Sequence, residues 1–482
     1  MTPSSPPTTP SSPVTQQSMV TSVDPYLPGH GDDSFTVTRY ELDLDYRVAG
    51  NRLTGRARLH ARAGRTLSRF ALDLTGLRVT KVLIGGRRPG RWTQRPGKLH
   101  IALADTVAVG AGFVVDVEYS GKPVPIAGTW GEVGWEELAD GVIVAGQPDG
   151  APSWFPCNDR PDHKASFRIS VTTEPVYRVL ANGALTERTN RAGGVRWVYD
   201  QPEPMATYLA TVQIGRYDLL VTSEGPVRQL AAVPARLRSD FLTDFGRQGE
   251  MMALFEDRFG PYPFADYVVV VTDDQLEMPL EAQGMSVFGA NHVDGRRGAQ
   301  RLVAHELAHQ WFGNSLTLER LQHIWLHEGF ARYAEWLWSE HSGGRSAAAL
   351  AHQAWDRLAR LPQDLVIGDP GPERTFDDRV YTRGALTLHA LRVTVGDDDF
   401  VATLRAWTGG HRHGTVTTAQ FVDCAARHTP QPVDALLHTW LFDAALPPFP
   451  VAATRSTSAA TPSGPATSSG PADRDRTATA PR

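Results

Sequence analysis

The residues of this sequence with the clearest chemical potential are His305-Glu306-Leu307-Ala308-His309. On a helix, residues four apart lie on one face, so both imidazoles can turn toward one metal ion. Glu306 follows His305 by one position and is placed to reach a water on that metal rather than the metal itself. Leu302, Val303, Leu307, Trp311 and Phe312 repeat at roughly helical spacing and predict a buried helix. In such a helix two unpartnered histidines and a carboxylate would be costly, whereas on an exposed helix the same residues could simply be solvated. A third ligand shifts that balance. Catalytic zinc commonly takes three protein ligands and leaves a fourth position open. Glu328, nineteen residues after His309, lies in Trp325-Leu326-His327-Glu328-Gly329-Phe330-Ala331. That segment reads as a second helix continuing through Tyr333, Trp336 and Trp338, three aromatic residues assigned to core packing. Two packed helices joined by a loop around 315–322 would carry Glu328 to the metal. Glu335, seven residues further on, falls on about the same helical face. It is a candidate for steadying a ligand, with a solvated surface carboxylate as the alternative reading.

These helices belong to a chain of 482 residues, 41% apolar, with a formal net charge of −5. That length predicts two or three compact units. The charge excludes an obvious nucleic-acid binder or a polybasic membrane-surface protein. No stretch approaches the roughly 18 to 20 apolar residues of a spanning helix. Cys157 and Cys424 are the only cysteines, so there is neither a disulfide framework nor a four-thiolate metal site. From about Ser34 to Ile214 strand signals dominate: Tyr40, Leu42, Leu44 and Tyr46 alternate with acidic residues, and Phe167, Ile169 and Val171 alternate again. After about residue 220 the helical period takes over, with one buried strand expected at Tyr267–Val271. Thr417 with Gln420 forms a capping-box signature, and Val433–Leu441 reads as a last apolar helix. The expected organisation is an α+β chain with a β domain over 24–220 and a mainly helical domain over 221–450. Tails at 1–23 and 451–482, rich in Pro, Ser, Thr and Ala, are expected to be disordered. The first has no basic start and no apolar run of a secretory signal, which makes the cytoplasm the expected location.

Together these motifs resemble the gluzincin aminopeptidases, the family that includes aminopeptidase N and leukotriene hydrolase. The shared pattern is His-Glu-x-x-His, eighteen residues, then Glu within Trp-Leu-x-Glu-Gly-Phe-Ala. His309-Gln310-Trp311-Phe312-Gly313-Asn314 matches as well. So do Phe155-Pro156-Cys157-Asn158-Asp159-Arg160-Pro161, Lys164-Ala165-Ser166-Phe167 and Val380-Tyr381-Thr382-Arg383-Gly384. The resemblance implies a saddle-like antiparallel β domain followed by a thermolysin-like catalytic domain. It implies one Zn²⁺ per chain on His305, His309 and Glu328, with Glu306 as the base and Tyr381 as a catalytic tyrosine. It further implies a glutamate that holds the substrate's free amino group. Glu281, in Met278-Pro279-Leu280-Glu281-Ala282, fits that role, with Glu277 as the rival. Gln147 matches a glutamine facing the same amino group. The implied activity is removal of amino-terminal residues from peptides, with a thermolysin-type endopeptidase or an epoxide hydrolase as alternatives. Peptides are the expected partners, with no nucleic acid and no membrane insertion; the oligomeric state stays open.

The residues flanking Glu281 depart from the family pattern, and the sequence departs from it in three further places. His327 stands where asparagine is usual, and is expected to hydrogen-bond a neighbour rather than compete for metal, because consecutive helix positions point about 100° apart. Arg383 stands for a lysine in a chain with only four lysines among its 48 basic residues. The folded part ends near Pro450, where larger members continue into a helical domain, and this implies a more open cleft.

Overall fold

Alternation along the first strands has a simple outcome: Tyr40, Leu42, Leu44 and Tyr46 of the strand Phe35–Arg47 are buried, while Asp43 and Asp45 face solvent. The computed structural model describes residues 24–450, so the two tails expected at 1–23 and 451–482 lie outside the described residues. Phe35–Arg47 sits centrally in a seven-stranded sheet. It pairs antiparallel with Arg52–Ala63 on one side. On the other it pairs parallel with Ala165–Thr173, setting Tyr40 beside Phe167, Leu42 beside Ile169 and Leu44 beside Val171. That parallel pair interrupts an otherwise antiparallel sheet, and it is possible because the chain between the strands is far longer than a crossover needs. Sheets of five and three strands complete this β-rich half around one apolar core.

A second five-stranded sheet runs in the order Asp218–Glu224, Arg228–Val233, Asp266–Val271, Met285–Phe288, Leu280–Ala282. Its first strand straddles residue 220. Its middle strands are parallel, and Leu280–Ala282 closes one edge antiparallel to Met285–Phe288. Nine helices accompany it among the described residues: α1 Arg238–Asp244, α2 Gln248–Phe259, α3 Gln300–Ala308, α4 Trp325–His341 and α5 Ala347–Leu358, then α6 Asp378–Val395, α7 Asp397–Gly410, α8 Thr418–His428 and α9 Asp434–Phe442. The capping box at Thr417 and Gln420 starts α8. Tyr333, Trp336 and Trp338 are buried on α4, as core packing requires. None of the described helices is long and apolar enough to cross a membrane.

The approach of α4 and α6 depends on two glycines. A Cβ on Gly329 would lie 2.8 Å from the Cα of Gly384, and a Cβ on Gly384 would lie 2.8 Å from the Cα of Gly329. Glycine inside a helix costs about 1 kcal/mol relative to alanine, so both residues are explained by the close crossing rather than by helix formation. The crossing brings the amino-terminal turns of α4 and α6 together, and these turns carry Glu328 and Tyr381. Gly329→Ala is therefore expected to destabilise the chain by about 1–3 kcal/mol through overpacking and to lower turnover by displacing Tyr381. Denaturant unfolding with kinetics on one preparation checks this; unchanged values for both would mean the helices can part freely.

The two halves are pinned through backbone carbonyls. Lys164 Nζ donates to the carbonyls of Asn314 (2.9 Å) and Ser315 (2.8 Å), on the loop between α3 and α4. Burial lowers its pKa to about 7.

Candidate active site

Helix α3 presents His305 and, at its carboxyl-terminal cap, His309, while the first turn of α4 presents Glu328. His305 Nε2 and His309 Nε2 each lie 3.6 Å from Glu328 Oε2. The donor atoms of the three residues all fall within 4.8 Å of one another, and all three side chains are buried. Ligands about 2.0–2.1 Å from a tetrahedral ion are about 3.3 Å apart, so each histidine stands only a few tenths of an ångström too far from Glu328. The other ring nitrogens settle the tautomers. His309 Nδ1 faces the Phe312 carbonyl at 3.0 Å, and His305 Nδ1 faces Glu335 Oε1 at 2.8 Å. Both partners are acceptors, so each Nδ1 carries a proton, which leaves each Nε2, directed at Glu328, as the atom a metal ion would take. Two imidazole Nε2 atoms and a carboxylate, buried together and converging on one point, fit a zinc ion.

The electrostatics agree with that assignment. Burial opposes the charge on Glu328, yet His309 and His305 hold its carboxyl below the usual range. Burial likewise opposes the charge on Glu335, but the bond to His305 and the charge of Arg332 and Arg301 keep it ionised. Arg301 contacts both Glu335 oxygens at 3.1 Å. Glu335 is thus a buried anchor for His305 rather than a surface carboxylate. Neither arginine is marked by the sequence, because nothing local distinguishes Arg301 or Arg332 from the other arginines of the chain.

Glu306 lies beside the trio without belonging to it. It is buried, Oε2 has no hydrogen-bond partner among the described residues, and burial pushes its carboxyl well above the usual range. A carboxylate oxygen of Glu306 and one of Glu281 fall within 4.8 Å of each other and of a His309 nitrogen. Glu281 reaches this point from the edge strand Leu280–Ala282. Gln310 and Asn314 hold that strand: Gln310 Oε1 accepts from Gly284 N at 2.9 Å, and Asn314 Nδ2 donates to the Ala282 carbonyl at 2.9 Å. Their place in the segment after His309 is thereby explained. Glu277 is exposed and does not line the cleft.

The cleft over the metal position has a volume of about 670 Å³. Gln147 and Glu281 line it, and so does Tyr381, whose ring stacks on His305 with centroids 6.3 Å apart. Burial holds the Tyr381 phenol well above its ordinary pKa. Trp130 from the β domain donates to the Pro372 carbonyl at 2.9 Å and meets Phe376 edge-on at 5.9 Å, so an aromatic pair joins the two halves at the cleft. Sequence patterns did not single out either residue. His327 turns away from the metal position, its Nε2 accepting from Leu318 N at 3.0 Å. Arg383 lies outside the cleft and donates to the carbonyls of Trp440 and Ala444, which ties α6 to the end of α9.

Comparison with known proteins gives a consistent picture. The model of the "Peptidase family M1 domain" matches residues 244–440, and that of the "Peptidase M1 N-terminal domain" matches 36–209. A probable aminopeptidase 2 of Sulfurisphaera tokodaii is 25% identical over 433 residues, covering 84% of this chain and 53% of its own. Human endoplasmic reticulum aminopeptidase 1 is 24% identical over 429 residues, 81% of this chain and 45% of its own. The chain thus spans about half the length of these curated relatives. The crystal structure of an M1 zinc metallopeptidase from Deinococcus radiodurans superposes with a TM-score of 0.81 at 30% identity, covering 89% of this chain and 98% of that one. A mutant of that protein bound to a Tyr-Ser-Ala substrate superposes with a TM-score of 0.82, also at 30% identity, covering 89% of this chain and 99% of that one.

Proposed function

This chain belongs to peptidase family M1, and from that membership and the geometry of its cleft we propose that it is a zinc-dependent aminopeptidase acting on peptides. His305, His309 and Glu328 would hold one zinc ion, which when bound supplies a Lewis acid and lowers the pKa of a coordinated water to about 7. Glu306 takes the proton of the attacking water and returns it to the leaving amine. Its buried oxygen without a partner supports this role, since nothing else competes for the proton. Tyr381 stays protonated over the working range and donates to the carbonyl oxygen as negative charge develops there. Glu335 positions His305 through Nδ1. Glu281 accepts the α-ammonium group, with the amide of Gln147 in the same cleft.

The observation that carries this reading is the closeness of Glu281 to Glu306 and His309. In a peptide the α-nitrogen and the first carbonyl carbon are separated by only two bonds, about 2.4 Å. A substrate whose amino group meets Glu281 therefore presents its first peptide bond, and no later one, to the metal position. The relatives named as aminopeptidases support the same activity. A cytoplasmic setting belongs to this proposal and is supported by Cys157 and Cys424, both buried free thiols.

The test compares peptides with free and acetylated amino ends in the parent and in Glu281→Ala. The parent should strongly prefer the free amine. The variant should keep its zinc and lose at least about tenfold in kcat/KM for free peptides, since a charge-assisted contact is removed. Equal cleavage of both peptides by the parent would favour an endopeptidase instead.

A further inference from the structure

The β domain carries a second cavity, of about 580 Å³, formed by residues that the catalytic reading does not use. Its floor is the three-stranded sheet in which Lys98–Val107 lies between Leu67–Asp73 and Arg91–Arg95. Directly opposed residues share a face. The pairings therefore set Arg69, Ala102 and Arg91 in one row on the outward side, and Ala71, His100 and Thr93 in the next. The reverse face sends Phe70, Leu99 and Ile101 into the core. With alanines at Ala102 and Ala71, the face is hollow where its rows would otherwise be filled. Arg69 and Arg91 stand on either side, their Cα atoms about 10 Å apart across two strand spacings. Arg95 continues the second wall two rows along, and the loop Asp32–Ser34 with Arg65 also lines the cavity.

Charge in this trough is unevenly matched. Asp33 is taken by Arg65 at 3.0 Å. Asp32 is buried and accepts from the backbone N–H groups of Ser34 and Ala71. Asp73 is taken by Lys98. Arg91 and Arg95 have no ion-pair partner among the described residues. Burial, together with Arg95 and Lys98, holds His100 below its ordinary pKa. Arginines on an edge strand can serve only to prevent edge-to-edge pairing. That role would explain Arg91 and Arg95, but not a walled hollow between two rows of side chains.

We propose that this trough binds a small multivalent oxyanion of the polyphosphate or polycarboxylate class. Arg91 and Arg95 take its charged oxygens on one wall, and Arg69 faces them from the other. Guanidinium groups suit such a ligand because their planar forks meet two oxygens at once.

Equilibrium dialysis of the full zinc-loaded chain against inorganic tripolyphosphate and, separately, citrate tests the proposal at an ionic strength of about 0.15 M, where non-specific attraction is screened beyond about 8 Å. Saturable binding of one anion per chain is expected for at least one of the two, and which one binds separates phosphate from carboxylate ligands. The double variant Arg91→Glu/Arg95→Glu should weaken it at least tenfold, with peptide hydrolysis intact as a check on folding. Arg296→Glu, an exposed arginine outside the trough, and His309→Ala should leave binding unchanged; the second control excludes capture through the metal. Absence of saturable binding by either anion up to about 10 mM would overturn the proposal. So would equal loss in Arg296→Glu, loss in His309→Ala, or full binding in the double variant.

Discussion

Glu306→Gln should retain a full complement of zinc and lose turnover by about a hundredfold to ten-thousandfold, the range expected when a general base is removed. Glutamine matches glutamate in shape, so the buried position beside the metal trio stays filled and the packing of α3 is preserved. What disappears is the ability to take a proton. Glu306 is not among the three donors that converge between α3 and α4, which is why metal content and activity should separate in this variant. Metal analysis and single-turnover kinetics on the same preparation measure both quantities. If turnover stays within about tenfold of the parent, water activation does not depend on this carboxylate.

His309→Ala should fail in the other direction, losing zinc and activity together. Two ligands remain, and the Phe312 carbonyl that oriented the His309 ring loses its partner. The parent should also gain stability from the ion, about 2.7 kcal/mol when free zinc is a hundredfold above its Kd. A zinc-dependent rise in the unfolding midpoint is therefore expected for the parent and not for the variant. Glu335→Ala makes a graded comparison. All three ligands remain, but His305 Nδ1 loses its acceptor, and zinc affinity should fall by about ten- to a hundredfold. A stoichiometric zinc content in His309→Ala would show that the ion is held elsewhere.

Much of the architecture is legible in the sequence because it is local. The turn between His305 and His309 is one helical period, so a shared face follows from spacing alone. Alternation in Tyr40–Tyr46 determines which side of a strand is buried, and the pairing of Thr417 with Gln420 determines where α8 begins. The link between His309 and Glu328 was readable for a related reason, since a second helix close in sequence must pack back on the first.

Contacts between distant elements were not readable in that way. Glu281 is the favoured candidate in the sequence and Glu277 its rival; the pairing of Leu280–Ala282 along the sheet edge turns the first toward His309 and leaves the second exposed. Spacing put Glu335 on about the face of Glu328, but its burial under Arg301 and Arg332 required α3 and α4 to be packed. Arg383, two residues after the Tyr381 ring stacked on His305, instead serves the end of α9 because α6 rotates it away from the cleft. Which residues share a face follows from their order in the chain, since covalent geometry and helical or strand periodicity act over a few residues. Tertiary structure alone decided which faces meet, because that depends on how elements far apart in the chain fit together, down to two glycine hydrogens between Gly329 and Gly384.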